Sequence, residues 1–390
     1  MSGGRRYDAP VADRNEALLE ALVLVAPGTA LRQGLDRVLQ ASRGALVVVG
    51  DDPTVLSICT GGFLLDTEFT PQRLSELAKM DGAIILTKDA SRIARANVHL
   101  MPRASIPTRE TGTRHRTAER VARSLDVPVL TVSEAMATIT VYRGPFRHTL
   151  QQPARLIDRA TQAIAAVERF KARYDLALAL LSTLEVEDTV SVNDVVAVLQ
   201  PGEMVVRFTR EVQDYLVELG EDGRLIRLQI EELGAGVEET LRLVALDYVS
   251  VPEDGHGRAD GHLSVGIAGR DAQRVVREQR ADAAVAALHA LTHEELLGRS
   301  AVAAVLGFDV VPGVLDLPVE ARGYRLLHRL PRVSETIIER IVEHFVTLPH
   351  LMQASLAELE KVGGVGEAKA RSVKDGLARM VEASILERYE

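Results

Sequence analysis

Between positions 111 and 117 the chain reads Thr111-Gly112-Thr113-Arg114-His115-Arg116-Thr117. Ala118, Val121, Ala122 and Leu125 follow at helical spacing, which predicts a helix from near Thr113 that ends before Pro128. Its first turn holds two arginines and a histidine, where unpaired N–H groups and the helix dipole already make the potential positive. Uncompensated, each such charge costs roughly a few tenths of a kcal/mol. A bound anion removes the conflict, and a phosphate chain is the commonest anion held in this way. The plainer alternative is a basic first turn left in water. A second candidate is Asp81-Gly82, which precedes the strand-like run Ala83–Thr87. A lone Asp-Gly pair is ordinarily just a turn. At the mouth of a core strand, however, its carboxylate can hold a divalent cation and help a hydroxyl lose its proton, while the glycine leaves room for a flat ligand.

Mixed strands and helices are predicted around these two runs. Asn15–Val25 and Thr29–Ser42 read as helices parted by Pro27-Gly28. Ala45–Val49 and Thr54–Cys59 read as two strands of a hairpin turning at Gly50-Asp51-Asp52-Pro53. Gly61-Gly62 permits a sharp bend, and Thr70-Pro71 starts a helix reaching about Met80. Further strands are expected at Ile93–Leu100, at Pro128–Val132 leading into Ser133-Glu134, and at Thr138–Tyr142. This pattern describes an α/β domain, a mixed sheet flanked by helices.

A chain of 390 residues predicts two or three domains. The net charge of −9 argues against a general DNA-coating protein, so any nucleic-acid surface must be local. Scarce aromatics and the absence of Trp argue against stacking platforms for single strands. The single cysteine, Cys59, excludes intrachain disulfides and cysteine-cluster zinc sites and fits a reducing compartment. The N-terminal run leads into no apolar signal core, and apolar stretches such as Ala21–Ala26 are too short to span a bilayer. A soluble, cytoplasmic protein is expected, with no membrane partner.

Three segments carry a specific likeness. They are Asp81-Gly82-Ala83, Asn97-Val98-His99-Leu100-Met101-Pro102, and Glu110-Thr111-Gly112-Thr113-Arg114-His115-Arg116-Thr117-Ala118-Glu119. Together they resemble the diadenylate cyclase domain family, whose DGA and RHR signatures are both intact here. The resemblance implies metal-dependent condensation of two ATP molecules into cyclic di-3′,5′-adenylate with loss of two pyrophosphates. It implies that Asp81 holds Mg²⁺ or Mn²⁺ and favours ionisation of the ribose 3′-hydroxyl. Arg114, His115 and Arg116, with Thr111, Gly112, Thr113 and Thr117, would grip the triphosphate. Gly82, Ala83 and Leu100 would line the adenine and ribose pocket, with Ser133 and Glu134 nearby. The reaction has two-fold symmetry and one site positions one ATP, so at least a dimer is required. The resemblance suggests an octamer of two stacked rings.

The organisation expected is a cyclase domain over 1–150, an all-α spacer over 151–320 and an all-α tandem helix–hairpin–helix domain over 321–390. In the spacer, Glu231, Glu232, Glu238, Glu239 and Asp247 read as solvated acids. Pro252–Gly261 reads as a mobile polar loop, where His256 and His262 flank acids. Near the C-terminus, Leu359-Glu360-Lys361-Val362-Gly363-Gly364-Val365-Gly366 resembles a helix–hairpin–helix turn. Gly364, Val365 and Gly366 would direct backbone N–H groups at a DNA phosphate, with Lys369 and Lys374 adding charge. An earlier copy around Leu327–Ser334 has Arg332 and Ser334 where glycines belong, leaving Arg329 and Arg332 to bind phosphate through side chains. A plain glycine-containing interhelical turn is the simpler alternative. Backbone contacts of this kind position a duplex without reading its sequence, so branched or junction DNA would be chosen by shape. Two functions stand open. One is a diadenylate cyclase whose output answers to branched or damaged DNA; the other is a structure-selective DNA-binding protein with a non-catalytic nucleotide sensor.

Overall fold

The computed structural model describes residues 16–250, 267–331 and 333–387. The loop Pro252–Gly261 with its two histidines, and Arg332, lie outside the described residues. Backbone contacts divide the chain into two compact units, one of residues 1–163 with 211–229, the other of 164–210 with 230–390.

The first unit opens with helices α1 (Glu16–Leu24) and α2 (Ala30–Gln40). Strand β1 (Ala45–Val49) follows, then α3 (Pro53–Ser57), β2 (Cys59–Thr60), β3 (Phe63–Glu68), α4 (Pro71–Leu77), β4 (Ala83–Leu86) and β5 (Arg92–Leu100). Helix α5 (Thr113–Leu125) leads to β6 (Val129–Ser133), β7 (Thr138–Arg143) and β8 (Phe146–Thr149). The strands form one mixed sheet in the order β2-β5-β4-β1-β6-β7-β8, with β3 also paired to β5. Only β1 and β4 run parallel among the described pairings. Alternation along the strands sends successive residues to opposite faces. Val47, Val49, Ile84, Leu86, Leu130 and Val132 meet α1 and α2 through Leu22, Leu31, Leu35 and Val38. Leu46, Val48, Ala83, Ile85, Val98 and Val129 meet α5 through Ala118, Val121 and Ala122. The expected α/β sandwich is therefore present.

One expectation fails within it. Thr54–Cys59 is not the second strand of a hairpin with Ala45–Val49. Asp52 accepts hydrogen bonds from the N–H groups of Thr54 and Val55, and Pro53 occupies the first helical position, so α3 forms instead. The strand resumes only at Cys59 and pairs with β5. The Asp-Pro pair is a helix start, not a strand turn.

The rest of the chain is helical. It runs through α6 (Pro153–Glu187), α7 (Val192–Leu219), α8 (Arg224–Gly234), α9 (Val237–Tyr248), α10 (Ile267–Ala290), α11 (His293–Leu297) and α12 (Arg299–Val305). It ends in α13 (Tyr324–His328), α14 (Glu335–Phe345), α15 (Leu348–Gln353), α16 (Leu356–Leu359) and α17 (Glu367–Glu387). Helix α7 runs unbroken through Pro201, which lies inside it. Burial of Val198, Leu199, Met204 and Val205 on either side outweighs the backbone bond that the proline forfeits. Among the described residues, no helix is long and apolar enough to cross a membrane.

Candidate functional site

Sheet register gathers the candidate residues at one edge. Val47 pairs with Ile84, so Gly44, three residues before Val47, falls level with Asp81, three before Ile84. Ala45 pairs with Val132 on the other side, which brings Ser133 and Glu134 to the same edge. Ala83 pairs with Val98, placing the end of β5 and Leu100 beside Asp81-Gly82. Asp81 is exposed, Gly82 half-buried and Ala83 buried, as a loop entering a core strand requires. Ser133 is buried and Glu134 exposed.

Gly82 is fixed by a residue that sequence reasoning did not single out. Its N–H donates to Asn97 Oδ1 at 3.2 Å. A Cβ at position 82 would stand 2.4 Å from Asn97 Cα, so only glycine fits. Asn97 has φ +52°, and the β4–β5 register slips beside it. This bulge bends β5 around the Asp81-Gly82 turn. The readable signal was an Asn inside an apolar strand run, a residue that tolerates left-handed backbone.

The basic run joins the same edge from α5. Gly112 is the N-cap residue and supplies no side-chain cap, so the first-turn N–H groups are left for another acceptor. A Cβ on Gly44 would lie 1.9 Å from Arg114 Nη1, which means that the Arg114 guanidinium rests on the backbone just ahead of β1. The helix tip thus touches the strand edge that carries Asp81. Thr111, Thr113 and Arg116 are exposed; Thr117 is half-buried.

The segment leading into α5 has no regular structure of its own and is held by side chains of the helix. Arg120 Nε donates to Ile106 O at 3.0 Å, and Arg123 Nη1 to Pro107 O at 3.1 Å. Glu119, buried in the helix, accepts from the Thr108 hydroxyl and from Arg109 N–H, and pairs with Arg123 at 2.7 Å. Burial works against its charge, but these partners hold the carboxyl below its ordinary range. Glu110 is fixed from β7 and β8, accepting from the Tyr142 hydroxyl at 3.0 Å and from Arg147 Nε at 2.6 Å. Burial pushes the Tyr142 phenol up to about 12, so it stays a neutral donor. Burial is also the main force holding the His115 imidazole below its usual value; Glu110 opposes it, and Arg114 and Arg147 add to it. His115 Nε2 is buried without a described partner. Glu110, Tyr142 and Arg147 had no readable pattern, because their grouping depends on strand pairing.

Among the described residues, no three His, Cys, Asp or Glu side chains stand close enough to cage a metal. A divalent ion that keeps water and substrate phosphates as ligands needs only one or two protein carboxylates. Asp81 is the carboxylate at hand.

At the C-terminal end, α16 and α17 flank a turn in which Gly364 has φ +85° and Val362 and Val365 are buried. Gly366 has open space around it and accepts the first helical bonds of α17. Lys369 Nζ donates to Gly364 O at 3.1 Å. Lys374 Nζ is committed elsewhere, donating to the carbonyls of Met352 and Ala354 at 3.0 and 2.6 Å. Arg329 is exposed on the earlier pair, α13 and α14.

One spacer acid departs from expectation. Glu231, Glu232, Glu238 and Glu239 are exposed, but Asp247 is 2% exposed. It accepts from the N–H groups of Gly323, Tyr324 and Arg325 at 2.8, 2.7 and 3.0 Å, capping α13 from α9. The buried Arg325 side chain pairs with Glu185 and donates to Ser182 Oγ at 3.1 Å. A sequence window of acids cannot reveal a cap supplied across more than seventy residues.

Residues 32–145 match the family model described as DisA bacterial checkpoint controller nucleotide-binding, and residues 150–261 match the DisA bacterial checkpoint controller linker region. The DNA integrity scanning protein DisA of Streptomyces coelicolor is 49% identical over 369 residues, covering 95% of this chain and 93% of the relative. That of Streptomyces griseus is 50% identical over 96% of this chain and 95% of its own length. That of Acidothermus cellulolyticus is 48% identical over 389 residues, with full coverage of both chains. With the DGA and RHR segments meeting at one sheet edge, the chain belongs to the DisA family of diadenylate cyclases.

Proposed function

We propose that this chain joins two ATP molecules into cyclic di-3′,5′-adenylate and releases two pyrophosphates. In each half of the reaction a ribose 3′-oxygen bonds to the α-phosphorus of the other ATP, the bond to pyrophosphate breaks, and the hydroxyl proton is lost. The observation that carries this reading is the meeting of Asp81, Gly82 and the Arg114 guanidinium on Gly44 at one sheet edge. A divalent ion, Mg²⁺ or Mn²⁺, held by Asp81 and the phosphates would acidify the attacking hydroxyl. Arg114, Arg116 and the uncapped N–H groups of Thr113 and its neighbours receive the triphosphate and balance charge that develops on the leaving pyrophosphate. His115, kept neutral by burial, donates or accepts one hydrogen bond and adds no further cation to this tip. Gly82 and Ala83 give the nucleotide a flat floor, Leu100 an apolar wall, and Thr111, Gly112, Thr117, Ser133 and Glu134 complete the surround. Because each edge presents one ATP, two copies must face one another; a dimer is the minimum and an octamer the assembly we propose.

We further propose a three-part division at about residues 150 and 320, with α13–α17 acting as tandem helix–hairpin–helix elements that hold branched DNA and lower synthesis. Gly364, Val365, Gly366 and Lys369 form the phosphate-facing turn, with Arg329 and Arg332 on the earlier copy. The deciding experiment incubates the purified chain with ATP and Mn²⁺, with and without a four-way junction, and separates the products. Cyclic dinucleotide that falls when the junction is added supports the reading. Nucleotide binding without any product leaves only a sensor that binds DNA.

A further inference from the structure

Two neighbouring residues of β8 reach opposite faces of the sheet. The register with β7 pairs Arg147 with Tyr142 and His148 with Val141. Cross-strand partners share a face, and successive residues alternate between faces. Tyr142 packs in the cluster that holds Ala118, Val121 and Ala122 of α5, whereas Val141 packs in the cluster of α1 and α2. Arg147 therefore stands on the α5 side and His148 on the other.

On the α5 side, Arg147 Nε lies 2.6 Å from Glu110 Oε1, the oxygen that also accepts from the Tyr142 hydroxyl at 3.0 Å. Glu110 immediately precedes Thr111, where the run that would grip the triphosphate begins. The residues before it are tied to α5 by Glu119, Arg120 and Arg123. Gly112 supplies no side-chain cap, so the Glu110 carboxylate is what ties the approach to the helix tip to the sheet. Glu110 and Arg147 are also near enough to His115, in the first turn of α5, to bear on its imidazole in opposite senses.

On the other face β8 is braced. His148 Nε2 lies 2.8 Å from Glu218 Oε2 near the end of α7, and Glu218 also accepts from the Gln151 N–H just beyond the strand. Glu218 is buried, and its neighbour Val217 packs against the cluster that holds Val141. All of these contacts lie within the first unit.

We propose that Arg147 and Glu110 are positioning residues for the triphosphate, aiming Thr111–Thr113 and the free N–H groups of α5 from a strand fixed behind by α7. The assignment rests on the cyclase reading. Neither side chain is asked to touch the nucleotide; their ion pair sets the direction in which the chain enters the helix tip, and groups held in place before binding lose less freedom when the ligand arrives. The adenine and ribose floor at Gly82 and Ala83 is fixed independently by β4 and Asn97, so the effect of the pair falls on the β- and γ-phosphates.

Calorimetric titration of the full chain with Mn²⁺ and either a non-hydrolysable ATP analogue or AMP tests this. The wild type should bind both. Arg147→Ala and Glu110→Gln should each weaken the analogue by about tenfold while AMP binding stays within about twofold, and Arg147→Lys should recover most of the loss. The double variant should lose no more than the stronger single, because each change breaks the same tie. Urea midpoints should barely move, since a pair with Arg147 half exposed adds little to global stability. Equal loss of AMP and analogue makes the role merely structural and overturns the proposal, as does unchanged analogue binding in the variants. A wild type that binds neither nucleotide overturns the cyclase reading itself, and the assignment falls with it.

Discussion

A methyl group at position 44 has no space of its own, because it would fall 1.9 Å from Arg114 Nη1. The obstacle is the far end of a flexible side chain, so Gly44→Ala should cost little stability and act by moving the guanidinium. We expect kcat/KM for cyclic dinucleotide synthesis to fall by about 10- to 100-fold with an unchanged melting temperature. Equal activity would show that Arg114 works from another position. Gly82→Ala makes the opposite prediction, because its Cβ meets the Asn97 backbone at 2.4 Å. Here the strands must shift, at a cost of about 1–3 kcal/mol, visible as a lower urea midpoint. Asp81→Asn keeps the shape of the turn and removes only the charge that would hold the ion. Synthesis should disappear while junction binding in a gel-shift assay is unaffected; parallel loss of both would contradict separate sites.

At the scale of elements, α13 illustrates a helix whose start is set from elsewhere. Its N-terminal N–H groups are satisfied by Asp247 of α9, and its Arg325 is matched by Glu185 of α6. Burial pushes the Glu185 carboxyl up from its ordinary 4.5 to about 7, Arg325 beside it notwithstanding. A raised carboxyl means that the native chain still holds a proton after the unfolded chain has released its own. Stability from this group therefore declines as pH rises from about 4.5 to about 7, and denaturation series across that window should show the slope. The slope should shrink in Glu185→Gln, whose amide does not titrate, with the remainder belonging to Asp247, whose carboxyl burial also raises; an unchanged slope would assign it to other groups. None of this is visible along the chain, because Glu185, Asp247 and Arg325 are brought together only by the packing of three helices. Local signals fare better. Thr70-Pro71 and the Ala118–Leu125 spacing mark real helix boundaries, and Asp81-Gly82 marks the true mouth of β4. Gly44 escapes notice, and Asn97 is met only as part of a family segment, because their roles depend on which strands become neighbours. Asp52-Pro53 misleads because the same two residues serve a turn and a helix start equally well.

For the whole molecule, the same buried charges determine how a response to DNA can be isolated. Removing residues beyond 320 deletes Arg325 and the N–H groups that satisfy Asp247, leaving Asp247 without those donors and Glu185 without its counter-charge, held only by the Tyr248 hydroxyl. Such orphaned charges typically cost about 3–5 kcal/mol. A chain cut there should therefore lose the cooperative melting of its second unit, and any change in synthesis would mix DNA blindness with a damaged spacer. A melting profile for the cut chain that matches the intact protein would refute this coupling. Lys369→Glu is the cleaner probe. Lys369 is exposed, its Nζ touches only the Gly364 carbonyl among the described residues, and reversing its charge puts an anion where a DNA phosphate would approach. Replacing that attraction to phosphate with a repulsion should weaken junction binding by about tenfold, with a shallower dependence on salt. Synthesis without DNA should equal that of the wild type, and the fall caused by a four-way junction should shift to correspondingly higher DNA concentration. If the variant responded to the junction at the wild-type concentration, the α16–α17 turn would not be the surface through which DNA is felt.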